Sequence, residues 1–191
     1  IRYLCTMHKL HIDNSFTNGL PKDPINENFT RPVTDAAYSL ATPVPFKKAS
    51  LIHISKLAKE LGFSEEEING EEFLQLFTGQ HLYPKTESYA MAYAGHQFGN
   101  WAGQLGDGRA INLFEVEHQD KNWKVQLKGV GETPYSRTAD GLAVLRSAVR
   151  EYLCREAMLY LGVPTTSALS LSLFVDAVFR DVLYAVTPAY D

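Results

Sequence analysis

An α+β fold, built on a twisted antiparallel sheet with one long helix, is predicted by three observations. First, "RAINLFEVEH" and "NWKVQLKG" are strand-like runs joined by the turn cluster "QDKN" (Gln119 to Asn122), which reads as a hairpin. Second, "DGLAVLRSAVREYLCREAMLYLG" carries Leu142, Leu145, Val149 and Leu153 at helical spacing. Asp140 is placed as its N-cap, and Gly162-Val163-Pro164 ends it. Third, "SALSLSLFVDAV" after this helix is a further strand candidate.

An extended and helical N-terminal region precedes these elements. Five of the nine prolines (Pro21, Pro24, Pro32, Pro43, Pro45) fall between residues 12 and 46, where missing donors and fixed φ disfavour helix. The aromatics Phe16, Phe29, Tyr38 and Phe46 in that arm indicate that it packs on something. "SLIHISKLAKELG" (Ser50 to Gly62) reads as an amphipathic helix, with Leu51, Ile54, Leu57 and Leu61 at helical spacing. Ser64 followed by Glu67 forms a capping-box pattern, and "EEFLQLFTG" continues as a short helix to Gly79. Thr86 to Ala110 reads as a loop, holding Gly95, Gly99, Gly103, Gly106 and Gly108. The expected division is an N-terminal extension over 1–80 and a second region over 81–191.

Composition narrows the class. The 191 residues fit one domain, or one plus part of another. An apolar fraction of 45% and a charged fraction of 21% are those of an ordinary soluble globular chain that can build its own core. A net charge of −4 gives no general attraction to nucleic acid or to an anionic membrane. No apolar stretch approaches the ~20 residues of a membrane span. Cys5 and Cys154 make no disulfide framework, which fits a reducing compartment. "IRYLCTMHKLHID" lacks the apolar core and cleavage site of a signal peptide; Met7 is one candidate for the start, with Ile1 to Thr6 then being upstream read-through or part of a fragment. "LYAVTPAYD" closes on no clear element, so the native chain is expected to continue.

The order of chemistry-bearing parts is glycine-rich stretch, hairpin ending in Lys128, then a helix carrying Glu151. A nucleotide needs such parts. Glycine backbone lets N–H groups approach phosphate closely. A strand lysine supplies a point charge, and a helix glutamate can orient its long stem, as in protein kinases. Ordinary readings fit these residues too. "GDGR" alone is a turn, a strand-end lysine is commonly a solvated edge residue, and Glu151 stands four before Arg155. Such a surface pair contributes ~0.3–0.5 kcal/mol. Glu156 is a rival partner for the lysine. Arg137, Arg146 and Arg150 add positive charge that suits an anion or pairs with local acids. His8 and His11 lack a third ligand for zinc, and His96 in "AGHQFG" reads as a structural residue holding the glycine stretch, with base or ligand as the alternative. "GVGETPYSR" superficially looks like a phosphate loop, but G-x-x-x-x-G-K-[ST], G-x-S-x-G, H-E-x-x-H and C-x-x-C are all absent.

Longer blocks carry a resemblance. "YAGHQFGNWAGQLGDGRA", "QLKGVGETPYSRTADGLAVLRSAVREYLCREAM" and "LGVPTTSALSL" resemble the SelO (selenoprotein O, bacterial YdiU) family of pseudokinases. "RPVTDAAYS", "PVPFKKASLIHISKLAKELG" and "FRDVLYAVTPAYD" extend the likeness from about Asn14 to the end. The resemblance implies a protein-kinase-like N-lobe without its C-lobe. It also implies ATP bound in a flipped orientation, with Mg²⁺ or Mn²⁺, and transfer of AMP to Ser, Thr or Tyr hydroxyls of proteins. The family's nucleotide contacts fall on Gly106, Gly108 and Arg109, then Lys128, then Asp140 and Gly141, with Glu151 holding the lysine. The family's general base, its metal-binding Asn and Asp and two phosphate-binding arginines are expected beyond Asp191, so no catalytic base and no metal ligand is assigned here. The 191 residues alone are expected to be inactive. Leu142 and Ser167 stand where the family commonly has arginine. A bacterial cytoplasmic home is the default, with a mitochondrial one for a eukaryotic relative. A conventional protein kinase and a non-catalytic nucleotide-binding scaffold are the alternative activities.

Overall fold

The computed structural model describes residues 10–180 and 189–190. Cys5, Met7 and His8, and most of the terminal block that follows Arg180, lie outside the described residues. In chain order the elements are β1 (His11–Asp13), α1 (Ser15–Gly19), β2 (Tyr38–Leu40), β3 (Ala49–Ile54), α2 (Leu57–Glu60), α3 (Glu65–Ile68), α4 (Glu71–Phe77) and β4 (Tyr89–Met91). There follow β5 (Ala94–Gln97), β6 (Asn100–Gln104), β7 (Ala110–His118), β8 (Lys121–Lys128), α5 (Leu145–Tyr160), β9 (Ser170–Phe174), β10 (Phe179–Arg180) and β11 (Ala189–Tyr190). The architecture is α+β with antiparallel ladders throughout its sheets, as the sequence predicts. Among the described residues no helix is long and apolar enough to cross a membrane.

Two compact units divide the chain. One holds Leu10–Pro45 and Gly79–Leu142; the described part of the other is Phe46–Thr78 with the chain from Ala143 onward. In the first unit β7 is the central strand. β8 runs along one edge, while β1 and β4 share the other, and β2 extends the sheet beyond β4. Its composition explains its place: Ile111, Leu113, Phe114 and Val116 are all buried. β8 alternates half-buried and exposed side chains, as a strand with one wet face does. The predicted hairpin is present, and its turn is the pair Gln119 (φ 52°) and Asp120 (φ 58°), both left-handed as a two-residue loop requires.

The proline-rich arm is held down as its aromatics indicate. Phe16 stacks on Tyr89 with ring centroids 5.2 Å apart, and Tyr38 meets Tyr89 edge-on at 5.4 Å. Arg31, buried in the arm, pairs with buried Asp23 at 2.5 Å and gives further hydrogen bonds to the carbonyls of Glu27, Phe29 and Ile25. Such a pair survives burial because Nη1 and Nη2 both find acceptors, although the buried Nε has none among the described residues.

In the second unit the capping box forms as written. Ser64 Oγ accepts from the Glu67 amide, and Glu67 Oε2 accepts from the Ser64 amide at 2.8 Å. Phe63, Phe73 and Phe77 cluster behind it. The helix expected over Ser50 to Gly62 is corrected: Ala49–Ile54 is a strand paired with β9, and only Leu57–Glu60 is helical. Leu51 and Ile54, three apart, fit the helical period; in the strand a register shift between Leu51 and His53 lets both be half-buried, and the partner strand, distant in sequence, decides.

The long helix is also shorter than expected. It starts at Leu145, with Val144 at the N-cap position and no capping side chain. Asp140 instead accepts from the Leu142 amide at 3.0 Å, Gly141 takes φ 69°, and Leu142 bridges to Val130, so this stretch cannot be helical. The stop is as predicted. Gly162 (φ 73°) donates to Leu159 O and Val163 to Met158 O, a Schellman motif. The expected apolar stripe does not face a core: Leu145 and Leu153 are exposed, and Tyr152 is the buried residue of α5.

Candidate functional site

The stretch expected as loop over Thr86 to Ala110 is corrected to one strand and a hairpin. β4 joins the main sheet; β5 and β6 form a separate two-stranded ladder turning on Phe98 (φ 51°) and Gly99 (φ 79°). His96 is exposed and lies edge-on to Trp101 across this ladder, with centroids 5.1 Å apart. The true turn is Leu105–Arg109, between β6 and β7. Gly106 has φ 133°, a conformation that favours glycine, and a Cβ there would lie 2.4 Å from the Tyr135 ring. At Gly108 a Cβ would lie 2.6 Å from the Tyr135 carbonyl oxygen. Both glycines are therefore required by close approach of residues 133–136.

The β7–β8 ladder brings the predicted cations to one end. Lys128 pairs with Ala110, and the Gly129 amide donates to the Arg109 carbonyl at 2.8 Å. The side chains of Arg109 and Lys128 are both exposed. Asp140 and Gly141 return to the same end: Val130 bridges Leu142, and the Gly131 amide faces the Gly141 carbonyl at 3.4 Å. The approach is so close that a Cβ on Gly141 would lie 1.9 Å from Gly131 O. Gly106, Gly108, Arg109, Lys128, Asp140 and Gly141 thus share one connected region of a single unit. Glu151 lies in the other unit, on α5, where Arg155 donates to it at 2.5 Å, the i,i+4 pair that its spacing allows. Arg146 and Arg150 on that helix are exposed. Arg137 is exposed as well and donates to Gln97 Oε1 at 3.0 Å.

Behind the turn lies a polar frame centred on buried Asp107 and Asn112. Asp107 accepts from the Met91 amide at 3.0 Å and from Asn112 Nδ2 at 2.9 Å; Gln126 Nε2 donates to Asn112 Oδ1 at 3.0 Å. The turn is thereby fixed to β4, β7 and β8. Tyr135, whose ring packs on Gly106, has its hydroxyl 2.9 Å from Ser39 Oγ. Ser39 gives its single proton to Asp23 at 2.8 Å, so Tyr135 donates to Ser39. Burial pushes the Tyr135 phenol above its ordinary value against the Ser39 hydrogen bond, which keeps it a donor. Burial also acts to raise the Asp23 carboxyl, but Ser39, the Ile25 amide and Arg31 together bring it below the usual carboxylate range.

The chain matches the family model described as "Protein adenylyltransferase SelO" over residues 26–189. The chain belongs to the SelO family. It is 59% identical over 186 residues to a protein nucleotidyltransferase YdiU of Flavobacterium johnsoniae, covering 97% of this chain and 36% of that relative. Relatives of the same name in an Azoarcus species and in Rhodopirellula baltica are each 52% identical over 184 residues, covering 95% of this chain and 36% and 34% of theirs. The SelO chain thus spans about a third of the length of the curated relatives it matches.

Sequence reasoning missed Asp107, Asn112, Thr133, Tyr135 and Ser136 as parts of this region. Their residue types are unremarkable singly, and their partners lie far along the chain. Among the described residues no three His, Cys, Asp or Glu converge. The Asp107 carboxylate is already engaged by an amide and Asn112.

Proposed function

We propose that this SelO chain is the nucleotide-binding part of a protein adenylyltransferase. Residues 81–191 serve as a kinase-like N-lobe that holds ATP, and residues 1–80 serve as its N-terminal extension. The observation that carries the reading is the meeting of a tightly packed glycine turn with two exposed cations, Arg109 and Lys128, at one end of the β7–β8 ladder. A triphosphate matches this chemistry, because backbone approach and two fixed positive charges act on the same anion. In this reading Gly106 and Gly108 give the phosphates access to backbone, Arg109 and Lys128 neutralise them, and Asp140 and Gly141 complete the contact surface.

The transfer is an attack by a Ser, Thr or Tyr hydroxyl oxygen of a protein on the α-phosphorus of ATP. A new P–O bond forms, the bond from the α-phosphorus to the bridging oxygen breaks, and pyrophosphate leaves with its charge held by the cations. The hydroxyl proton passes to a general base that is assigned to no residue of this chain. Mg²⁺ or Mn²⁺ would lower the charge on the phosphates when bound. The test is incubation of the full-length protein with α-labelled and γ-labelled ATP and a protein acceptor. Label from the α position alone supports the reading. Transfer of γ-label makes it a conventional kinase, and ATP binding with no transfer makes it a scaffold. The shared name of the relatives leaves the base open, so UTP belongs in the same series.

A further inference from the structure

We propose that Thr133 and Ser136 are positioning residues, a hydroxyl clamp that keeps two carbonyl oxygens of the glycine turn turned away from the bound phosphates. The proposal rests on the nucleotide reading above. Thr133 Oγ1 donates to the Asp107 carbonyl at 2.8 Å, and Ser136 Oγ donates to the Gly108 carbonyl at 2.6 Å. The two hydroxyls are themselves held in place. Ser136 Oγ accepts from the Thr133 amide at 2.8 Å, and Thr133 Oγ1 accepts from the Tyr135 amide at 3.2 Å. Thr133 is fully buried and Ser136 is 6% exposed, so water does not substitute for either contact.

A trans peptide is planar, and its N–H points opposite to its C=O. Drawing the Asp107 and Gly108 carbonyls toward residues 133–136 therefore aims the Gly108 and Arg109 amides the other way. An anion is attracted by amide hydrogens and repelled by carbonyl oxygens, and a glycine turn can present either, because glycine permits the peptide to flip. The hydroxyls hold both carbonyls on one face. The Gly108 amide is also drawn to Gly106 O at 2.8 Å, which tightens the turn but leaves the Arg109 amide to the Ser136 contact alone. A Cβ at Gly108 would drive into the Tyr135 carbonyl, so clamp and glycine form one fitted surface.

The experiment uses the full-length protein and compares binding of ATP with binding of adenosine, which lacks phosphates. Ser136→Ala and Thr133→Val remove a donor at nearly constant shape; Thr133→Ser keeps the donor and loses a methyl. Both donor-removing variants are expected to weaken ATP roughly tenfold or more, since an oriented donor to a charged group is lost. Adenosine binding stays within about twofold, and Thr133→Ser binds ATP as wild type does. In turnover the loss falls on KM for ATP and not on kcat. Equal losses for ATP and adenosine, or unchanged ATP binding in folded variants, overturn the clamp. If Ser136→Ala does not fold, the Thr133→Val and Thr133→Ser pair decides alone. A wild-type protein that binds no ATP overturns the nucleotide reading and the clamp with it.

Discussion

Two hairpins of one unit turn on the same device and differ in everything else. β5–β6 reverses at Phe98 and Gly99, β7–β8 at Gln119 and Asp120, all with left-handed φ. The β7 strand is buried along nearly its whole length and has neighbours on both edges. Neither β5 nor β6 contains a buried residue; Phe98 is fully exposed and Trp101 is 63% exposed. The exposed hairpin is held at its base by Gln104, which accepts from the Val33 amide at 2.8 Å and donates to Arg31 O at 2.9 Å. A turn closes a hairpin, but burial makes it a platform, since two strands alone are marginal in water. The cations Arg109 and Lys128 sit on the platform and not on the exposed hairpin.

That contrast can be broken most strongly at its foundation. Arg31→Ala leaves the Asp23 carboxylate buried without its cation and is expected to destabilise the fold by about 3–5 kcal/mol, read by denaturant unfolding. Ile111→Ala, in the centre of β7, should cost about 2–5 kcal/mol by the same measurement. A loss below about 1 kcal/mol would show that β7 is not the platform. Lys128→Met is expected to lower kcat/KM for ATP in the full-length enzyme roughly a hundredfold, about 2.7 kcal/mol, with the unfolding midpoint nearly unchanged. A matching fall in stability would move Lys128 from binding to structure.

The anchor under Tyr135 is also acid-sensitive, and the sign follows from the lowered Asp23 carboxyl. Its contribution is fully present above the unfolded carboxylate value of about 3.9 and is lost as pH falls through the lower folded value. The stability gap between wild type and Asp23→Asn should therefore shrink when unfolding is followed from pH 7 down through that range. The smallest effect is on the other hairpin: Phe98→Ser should change stability by less than about 0.5 kcal/mol, because its ring touches solvent on all sides.

Legibility followed the same division. The β7–β8 hairpin could be read because β7 is largely apolar, β8 alternates and a polar turn separates them. β5–β6 could not, because "AGHQFGNWAGQ" buries nothing and so shows no alternation. Ser50 to Ile54 reads as helix because Leu51 and Ile54 are three apart; the bulge that lets a strand carry that spacing, and the remote partner β9, leave no signal in the sequence. Asp140 was placed as a helix cap because Asp before a periodic run is a common start; its carboxylate bonds only two residues on, and the bridge from Val130 to Leu142 holds that stretch extended.

By itself the sequence determined the α+β class, the family, the capping box at Ser64 and the stop at Gly162, and it nominated Gly106, Gly108, Arg109, Lys128, Asp140 and Gly141 as nucleotide contacts. These are local signals or long matching blocks, and both survive in one dimension. Only the tertiary structure decided that Arg109, Lys128 and Gly141 reach the same end of one ladder, and that Thr133 and Ser136 grip the carbonyls of a turn far upstream. Hydrogen bonds between distant residues leave no periodicity in the chain; they exist only once the sheet has brought the two loops into contact.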